Sequence, residues 1–280
     1  MMKTVFGIFI FMIGICVGSF LNVVVLRLEK SENLGGRSYC PKCKHSLAWF
    51  DLIPVLSFLF LWGKCRYCGA KISIQYPIIE MSTALIFLLI FNFQFLILNQ
   101  FEIFEFLNLI FLLYVASSLI VIFAYDLRHY LIPDKVLFPA IVISIMYRIF
   151  EILNFSHWNL FGIWDLGFGI SGPLLSYPFA AVLASGFFLT IYLVSRGRWM
   201  GFGDVKLAVL LGLILGFPNI LVGLFLAFFI GAILGIALMI LQKRNLKSQL
   251  PFAPFLIFGT FLAMFWGQGL LDWYISLLTF

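Results

Sequence analysis

Long uninterrupted runs of apolar residues dominate the chain and alternate with short polar segments. A helix needs about 20 mostly apolar residues to cross the roughly 30 Å hydrocarbon core of a bilayer. By this criterion we predict about eight membrane-spanning helices, at residues 5–26, 78–98, 106–125, 135–153, 174–194, 204–217, 219–241 and 252–276. The sixth run is short, so we expect that helix to be tilted or to begin inside the bilayer.

Composition supports a membrane protein. Hydrophobic residues make up 63% of the 280 residues and charged residues only 11%, against about 25% charged in a soluble domain. One soluble core cannot bury this many apolar side chains. The lipid bilayer must therefore cover many of them. The first run is too long for a signal peptide and lacks a small-residue cleavage site, so we interpret it as a retained helix. We predict an all-α polytopic membrane protein.

The basic residues fall on one side of the predicted membrane. With eight spans, 16 of the 18 Lys and Arg residues lie in connections on the same side, and Lys3 and Arg148 are the exceptions. The positive-inside rule assigns these connections to the cytoplasm and both termini to the opposite side. The sequence pI of about 9.1 therefore reflects membrane topology, and we expect no nucleic-acid partner.

The longest hydrophilic segment separates the first two predicted spans. We therefore divide the chain into a first transmembrane helix at 1–26, a cytoplasmic insert at 27–77 and a transmembrane catalytic domain at 78–280. Within the insert, the apolar stretch 47–62 is expected to lie against the bilayer surface or against the transmembrane helices.

Four of the five cysteines form two C-x-x-C pairs in the insert. They are Cys40, Cys43, Cys65 and Cys68. Four thiolates at such spacing are typical of a tetrahedral structural zinc site. A redox or disulfide role is the alternative, but the reducing cytoplasm disfavours disulfides. A closed four-thiolate site has no open position for water, so we predict that this zinc stabilises a small insert and does no chemistry. The fifth cysteine, Cys16, lies in an apolar span and is interpreted as a packing residue.

Four acidic residues lie at or just inside the ends of predicted spans: Glu80, Asp126, Asp134 and Asp204. An ionisable side chain there is costly and is a functional candidate for that reason. Asp126 ends the third span, and Asp204 begins the sixth after Gly201 and Gly203. The predicted topology brings both to the cytoplasmic edge. Two such carboxylates can share a proton, with one activating water and the other protonating the tetrahedral species.

Purely structural roles are the alternative interpretation of Asp126 and Asp204. Asp126 can pair with Arg128 or Arg196 at the interface, and Asp204 can cap a helix whose glycines allow close packing. If the pair is catalytic, the helix dipole disfavours negative charge on Asp126 at a C-terminus and favours it on Asp204 at an N-terminus. We therefore expect Asp204 to be the more readily ionised member.

Asp134 and Glu80 are weaker candidates. Asp134 follows Pro133 at the start of the fourth span, where a capping role is favoured. Glu80 is either a first-turn charge or a binding group that faces the insert.

Five short motifs together resemble the prepilin peptidase family, the type IV leader peptidases, which are GxGD aspartyl membrane proteases. They are the sequence GSFLNVV at 18–24, the cysteine region through YPIIE at 40–80, the aspartate motif at 126–134, GFGD at 201–204 and PFAPF at 251–255. A GxGD motif alone is weakly specific. Five motifs in this order, spread from residue 18 to residue 255 along nearly the whole chain, are strongly specific.

The resemblance implies an aspartic endopeptidase of the bacterial inner membrane with Asp126 and Asp204 as its catalytic pair. Such enzymes remove the basic leader from type IV prepilins and pseudopilins at the cytoplasmic face. Family members with the four-cysteine insert are usually also N-methyltransferases that use S-adenosylmethionine. The sequence contains no recognisable methyltransferase motif, so methylation is implied by the resemblance alone. Glu80 is only a suggested participant in binding S-adenosylmethionine.

Two other functions fit parts of the pattern. One is a peptidase of the same family without methylation. The other is a transporter or a zinc-stabilised membrane scaffold without hydrolysis, in which carboxylates lining a pathway would explain Asp126 and Asp204 equally well.

Overall fold

The computed structural model of the protein describes residues 2–33, 35–97, 103–155, 173–241 and 251–278. In these ranges the regular structure is helical, and its only strand-like features are two isolated bridges, Tyr39–Ser46 and Lys64–Lys71. The all-α prediction is confirmed. The helices are α1 (Met2–Glu29), α2 (Leu56–Phe60), α3 (Gln75–Ile97), α4 (Ile103–His129), α5 (Asp134–Phe155), α6 (Pro173–Ser195), α7 (Phe202–Leu215), α8 (Asn219–Ile240) and α9 (Ala253–Leu278), with a 3-10 turn at Trp49–Leu52.

All eight apolar runs form helices, but they differ in length. Within the described ranges, seven helices are long and apolar enough to cross a membrane, namely α1, α3, α4, α5, α6, α8 and α9. The predicted sixth span corresponds to α7, which has 14 residues. At about 1.5 Å per residue it is about 21 Å long, shorter than the roughly 30 Å core. Three basic residues used in the topology argument, Lys243, Arg244 and Lys247, lie outside the described residues.

The chain forms two compact units, Met1–Ala124 and Tyr125–Phe280. In the first unit α1 packs along α3. A Cβ added at Gly14 would lie 2.6 Å from the Cα of Ala84, and one added at Gly18 would lie 2.7 Å from the Cα of Glu80. Glycine at these positions lets the two helix backbones approach closely, as small residues do between membrane helices.

The insert connects α1 to α3, and aromatic side chains cover part of its surface. Trp49, Phe60 and Trp62 are 78%, 79% and 88% exposed. The stretch that contains them contacts α3, because the backbone N–H of Val55 donates to the Glu80 carboxylate at 2.7 Å. That its exposed aromatic side chains lie against the bilayer surface stays a prediction, for which exposed tryptophan is typical.

In the second unit α7 is the central buried helix. It packs against α5, α6, α8 and α9, and every residue from Leu210 to Leu215 is buried. A Cβ added at Gly212 would lie 2.4 Å from the backbone nitrogen and the Cα of Ala181 on α6. The short helix is thus enclosed by longer ones, and its first turn carries Asp204.

Candidate active site and metal centre

Asp126 lies in the last turn of α4. The backbone N–H of Tyr130 donates to its carbonyl oxygen at 2.9 Å, and the residue is only 4% exposed. Its side-chain oxygen Oδ2 is buried and has no hydrogen-bond partner among the described residues. Buried polar atoms in proteins nearly always have partners, so this oxygen requires an explanation.

Asp204 is the third residue of α7, and Gly201 is the N-cap residue of that helix. The Gly201 backbone N–H favours negative charge on the Asp204 carboxylate. Asp204 lies inside the first turn and does not occupy the cap position, so its interpretation as the N-cap residue is wrong.

The segment after α4 lies against the start of α7. A Cβ added at Gly203 would lie 3.3 Å from the Cβ of Ile132, so a larger residue there would displace the isoleucine. Lys206 Nζ lies 2.6 Å from Asp134 Oδ1. The pairing partners are 72 positions apart, which is why sequence inspection left Lys206 and Ile132 without a role.

The two candidate aspartates lie in the same compact unit. Negative charge on Asp126 disfavours negative charge on Asp204, so the two carboxyl groups influence each other electrostatically. Asp134, by contrast, is exposed and forms an ion pair with Lys206.

Glu80 lies in the first compact unit. Because α3 begins at Gln75, Glu80 is not in the first turn of that helix. The interpretation of Glu80 as a first-turn charge is therefore wrong. The carboxylate is buried, accepts a 2.7 Å hydrogen bond from the backbone N–H of Val55 and a second from the Ser19 hydroxyl. Val55 has a φ of 60°, which is unusual for a β-branched residue. Glu80 thus faces the insert, as the other interpretation required, and stabilises a strained turn there.

The four cysteines of the insert form one cluster. Their sulfur atoms all lie within 4.8 Å of one another, and the Cys40 and Cys68 sulfurs are 3.9 Å apart. Four sulfurs about 2.3 Å from a tetrahedral metal lie about 3.8 Å from each other. The cluster can therefore hold a metal ion.

Both pairs have the same local backbone. The N–H of Lys44 donates to the Cys40 carbonyl, and the N–H of Gly69 donates to the Cys65 carbonyl, each at 2.9 Å. Both donors have positive φ, 60° at Lys44 and 66° at Gly69. Each C-x-x-C pair thus forms a tight turn, which is closed by Lys44 in the first pair and by Gly69 in the second. Positive φ favours glycine, and only the second turn has a glycine at that position.

The thiols differ in acidity. Hydrogen bonds from the backbone N–H of Cys43, then of Lys42, with help from neighbouring thiols, outweigh desolvation and lower the pKa of Cys40 to about 6. At Cys68 the backbone N–H of Ala70 favours the thiolate, but desolvation and the three other cysteines outweigh it and raise the pKa to about 11. The cluster by itself favours a thiolate at Cys40, and a bound metal would deprotonate the others.

Two family models match separate parts of the chain. The model of the "Bacterial Peptidase A24 N-terminal domain" matches residues 12–94, and that of the "Type IV leader peptidase family" matches residues 113–236. A "Prepilin leader peptidase/N-methyltransferase" of Pseudomonas aeruginosa is 31% identical to the chain, over 95% of this chain and 92% of the relative. The chain belongs to the type IV leader peptidase family.

Two further relatives are also called "Prepilin leader peptidase/N-methyltransferase". The proteins from Bacillus subtilis and Aeromonas salmonicida are 29% and 28% identical to this chain, and each alignment covers at least 93% of the relative. No solved structure shows a significant match. Asp126 and Asp204 fall in the range matched to the leader peptidase family, whereas Glu80 and the cysteine cluster fall in the range matched to the N-terminal domain.

Proposed function

We propose that this type IV leader peptidase removes the leader from type IV prepilins and pseudopilins with Asp126 and Asp204 as its catalytic pair. The observation that carries the proposal is the buried Asp126 Oδ2, which has no partner among the described protein groups and lies near a second carboxyl. A shared proton or an attacking water is the partner that an aspartyl mechanism supplies at that oxygen.

In the proposed mechanism the two carboxyl groups act together. The ionised one takes a proton from water as the water oxygen attacks the scissile carbonyl carbon, and the protonated one donates its proton to the carbonyl oxygen. Return of a proton to the leaving amine completes peptide cleavage. The α7 dipole favours negative charge on Asp204 in the first turn of that helix. Burial and the neighbouring Asp126 carboxylate oppose that charge, so the assignment of Asp204 as the base and Asp126 as the acid stays a prediction from the helix dipoles alone.

The proposed site faces the cytoplasm of the bacterial inner membrane. The support is the charge distribution, because 16 of the 18 basic residues lie on the side of both aspartates in the eight-span topology. A substrate whose leader is cytoplasmic and whose following segment enters the bilayer could then reach a membrane-edge site.

The second proposed activity is methylation of the new N-terminal amine with S-adenosylmethionine. Its support is the printed name of the relatives, which includes an N-methyltransferase. Glu80 is the candidate residue for binding this cofactor. For the cysteine cluster we propose zinc, held by Cys40, Cys43, Cys65 and Cys68, since a closed four-thiolate set suits structural zinc.

Substitution of the aspartates tests the catalytic pair. Purified Asp126→Asn and Asp204→Asn variants are incubated with a prepilin substrate, and the cleavage rate is measured. Because acid–base catalysis contributes about a hundredfold or more, we expect at least that loss in each variant. Asp272→Asn is the control, since Asp272 is an exposed carboxylate near the end of α9. Cleavage at the normal rate by either active-site variant would exclude the pair.

The same incubation with labelled S-adenosylmethionine tests methylation. Label on the mature pilin is the expected result and excludes a peptidase without methylation. Complete cleavage without label would support that alternative. A protein that neither cleaves nor methylates prepilin would instead point to a transporter or scaffold.

A further inference from the structure

Charged residues of α5 contact both ends of the buried helix α7. At the N-terminal end, the Asp134 carboxylate pairs with Lys206 at 2.6 Å. At the C-terminal end, the Arg148 guanidinium donates from Nε to the Leu213 carbonyl at 3.0 Å and from Nη2 to the Ile214 carbonyl at 3.1 Å. These carbonyls belong to the last turn of α7, where helix carbonyls have no partner within their own helix.

Arg148 is buried in an unusual place for a cation. It is 8% exposed and lies within the candidate membrane span Asp134–Leu153. Its Nη1 pairs with Glu151 at 2.7 Å, and its guanidinium lies 3.5 Å from the ring centroid of Tyr177 on α6. A cation inside a span is costly and is retained where it has a function. Here its charge faces the negative end of the α7 dipole.

The two contacts hold α7 at two separate points. Asp134 and Arg148 are 14 positions apart on α5, and their partners Lys206 and Leu213 are 7 positions apart on α7. The partners are therefore about 10 Å apart along α7. Close packing around α7 resists its displacement along the helix axis. The polar contacts to Asp134 and Arg148 are directional and add to that resistance.

We propose that Arg148 is a positioning residue that holds α7, and with it Asp204, in register with Asp126. This inference rests on the proposed function of the aspartate pair. Arg148 acts from the far end of the helix and touches neither carboxylate. A displacement of α7 along its axis moves Asp204 by the same amount, and a misplacement of about 1 Å can lower a rate about a hundredfold.

Arg148→Met and Arg148→Lys test the proposal in a prepilin cleavage assay. We expect Arg148→Met to lower kcat by about tenfold to a hundredfold and to leave KM within about twofold. Arg148→Lys should recover part of the loss, because lysine keeps the charge but lacks the two-pronged donor. Lys135→Met is the matched control, since it removes an exposed charge from the same helix. Asp126→Asn and Asp204→Asn in the same assay test the catalytic pair separately.

A disulfide cross-link measures the position of α7 without relying on hydrolysis. A Cβ at position 203 would lie 3.3 Å from the Cβ of Ile132, close to the separation of about 3.8 Å in a disulfide. In the Ile132→Cys, Gly203→Cys protein we expect rapid oxidation, detected by mass spectrometry of the linked peptides. Adding Arg148→Met should slow cross-linking several-fold.

Control-level kcat together with an unchanged cross-linking rate would overturn the role of Arg148. Equal losses of kcat in Arg148→Lys and Arg148→Met with unchanged cross-linking would also overturn it. If Arg148→Met does not yield folded protein, Arg148→Lys decides by the same two measurements. Normal cleavage by Asp126→Asn or Asp204→Asn would refute the catalytic pair alone, because cross-linking still reports the position of α7.

Discussion

At the residue scale, the three candidate aspartates of the second compact unit differ through their surroundings. Asp126 is buried and one of its oxygens has no partner among the described groups. Asp204 lies in the first turn of α7, and Asp134 is exposed and paired with Lys206. A polar atom without a partner in a buried site is costly to keep. Among the three, the surroundings of Asp126 are those expected of a group whose partner is a substrate, water or shared proton.

Gly212 and Gly186 provide a matched test of the packing around α7. A Cβ at Gly212 would lie 2.4 Å from backbone atoms of Ala181, whereas one at Gly186 would have no atom within 4 Å. We expect Gly212→Ala to lower the free energy of unfolding by about 1–3 kcal/mol, because α6 and α7 must separate. Gly186→Ala should be neutral or should raise it by up to about 1 kcal/mol. Thermal unfolding in one detergent measures both, and equal transition temperatures would contradict the close approach of α6 and α7.

At the element scale, the insert is held together by its cysteine cluster and by polar contacts between its two turns. The Asp51 carboxylate, with its side chain only 3% exposed, pairs with Arg66 at 2.8 Å and accepts from Tyr67 at 3.1 Å. The His45 and Tyr67 rings contact each other at a tilt of 36°, with centroids 3.7 Å apart. A segment of this size cannot bury a large core, so metal binding is the expected source of much of its stability.

Cys40→Ser tests that dependence, with Cys16→Ser as the control. Cys16 is exposed on α1 and outside the cluster, so its interpretation as a packing residue is wrong. Since metal binding and folding are coupled in small metal domains, we expect Cys40→Ser to lose about one zinc per chain and Cys16→Ser to keep it. Methylation should fall much more than cleavage. Metal content by atomic emission and both activities are measured on the same preparations. Equal loss of cleavage and methylation would contradict a purely structural metal.

At the scale of the whole molecule, α7 is the element that decides the membrane topology. By length, seven described helices can cross the membrane, whereas the predicted topology, in which 16 of 18 basic residues lie on one side, has eight crossings. The two agree if α7 completes a crossing despite its short length. Its neighbours make that possible, because α7 is enclosed by other helices and its ends meet protein groups in place of lipid.

Cysteine labelling distinguishes the two topologies. We expect Arg198→Cys to react with a membrane-impermeant maleimide only in inside-out vesicles, and Asp272→Cys only in right-side-out cells, since an eight-crossing chain brings these exposed positions to opposite sides. Peptide mass spectrometry identifies the label at the introduced cysteine. Labelling of both positions from the same side would show that α7 does not complete a crossing.

The sequence by itself determined the membrane class, the helices and the identity of the candidate site. Apolar runs and charge bias are local properties of the chain, and each of the eight runs became a helix within a few residues of its predicted ends. The C-x-x-C pairs and the two aspartates were recognisable because their chemistry depends on residue type and short spacing. The contacts of Lys206 with Asp134 and of Arg148 with the end of α7 were decided only by tertiary structure. Packing joins positions some 65 residues or more apart, and no local pattern encodes which helices become neighbours.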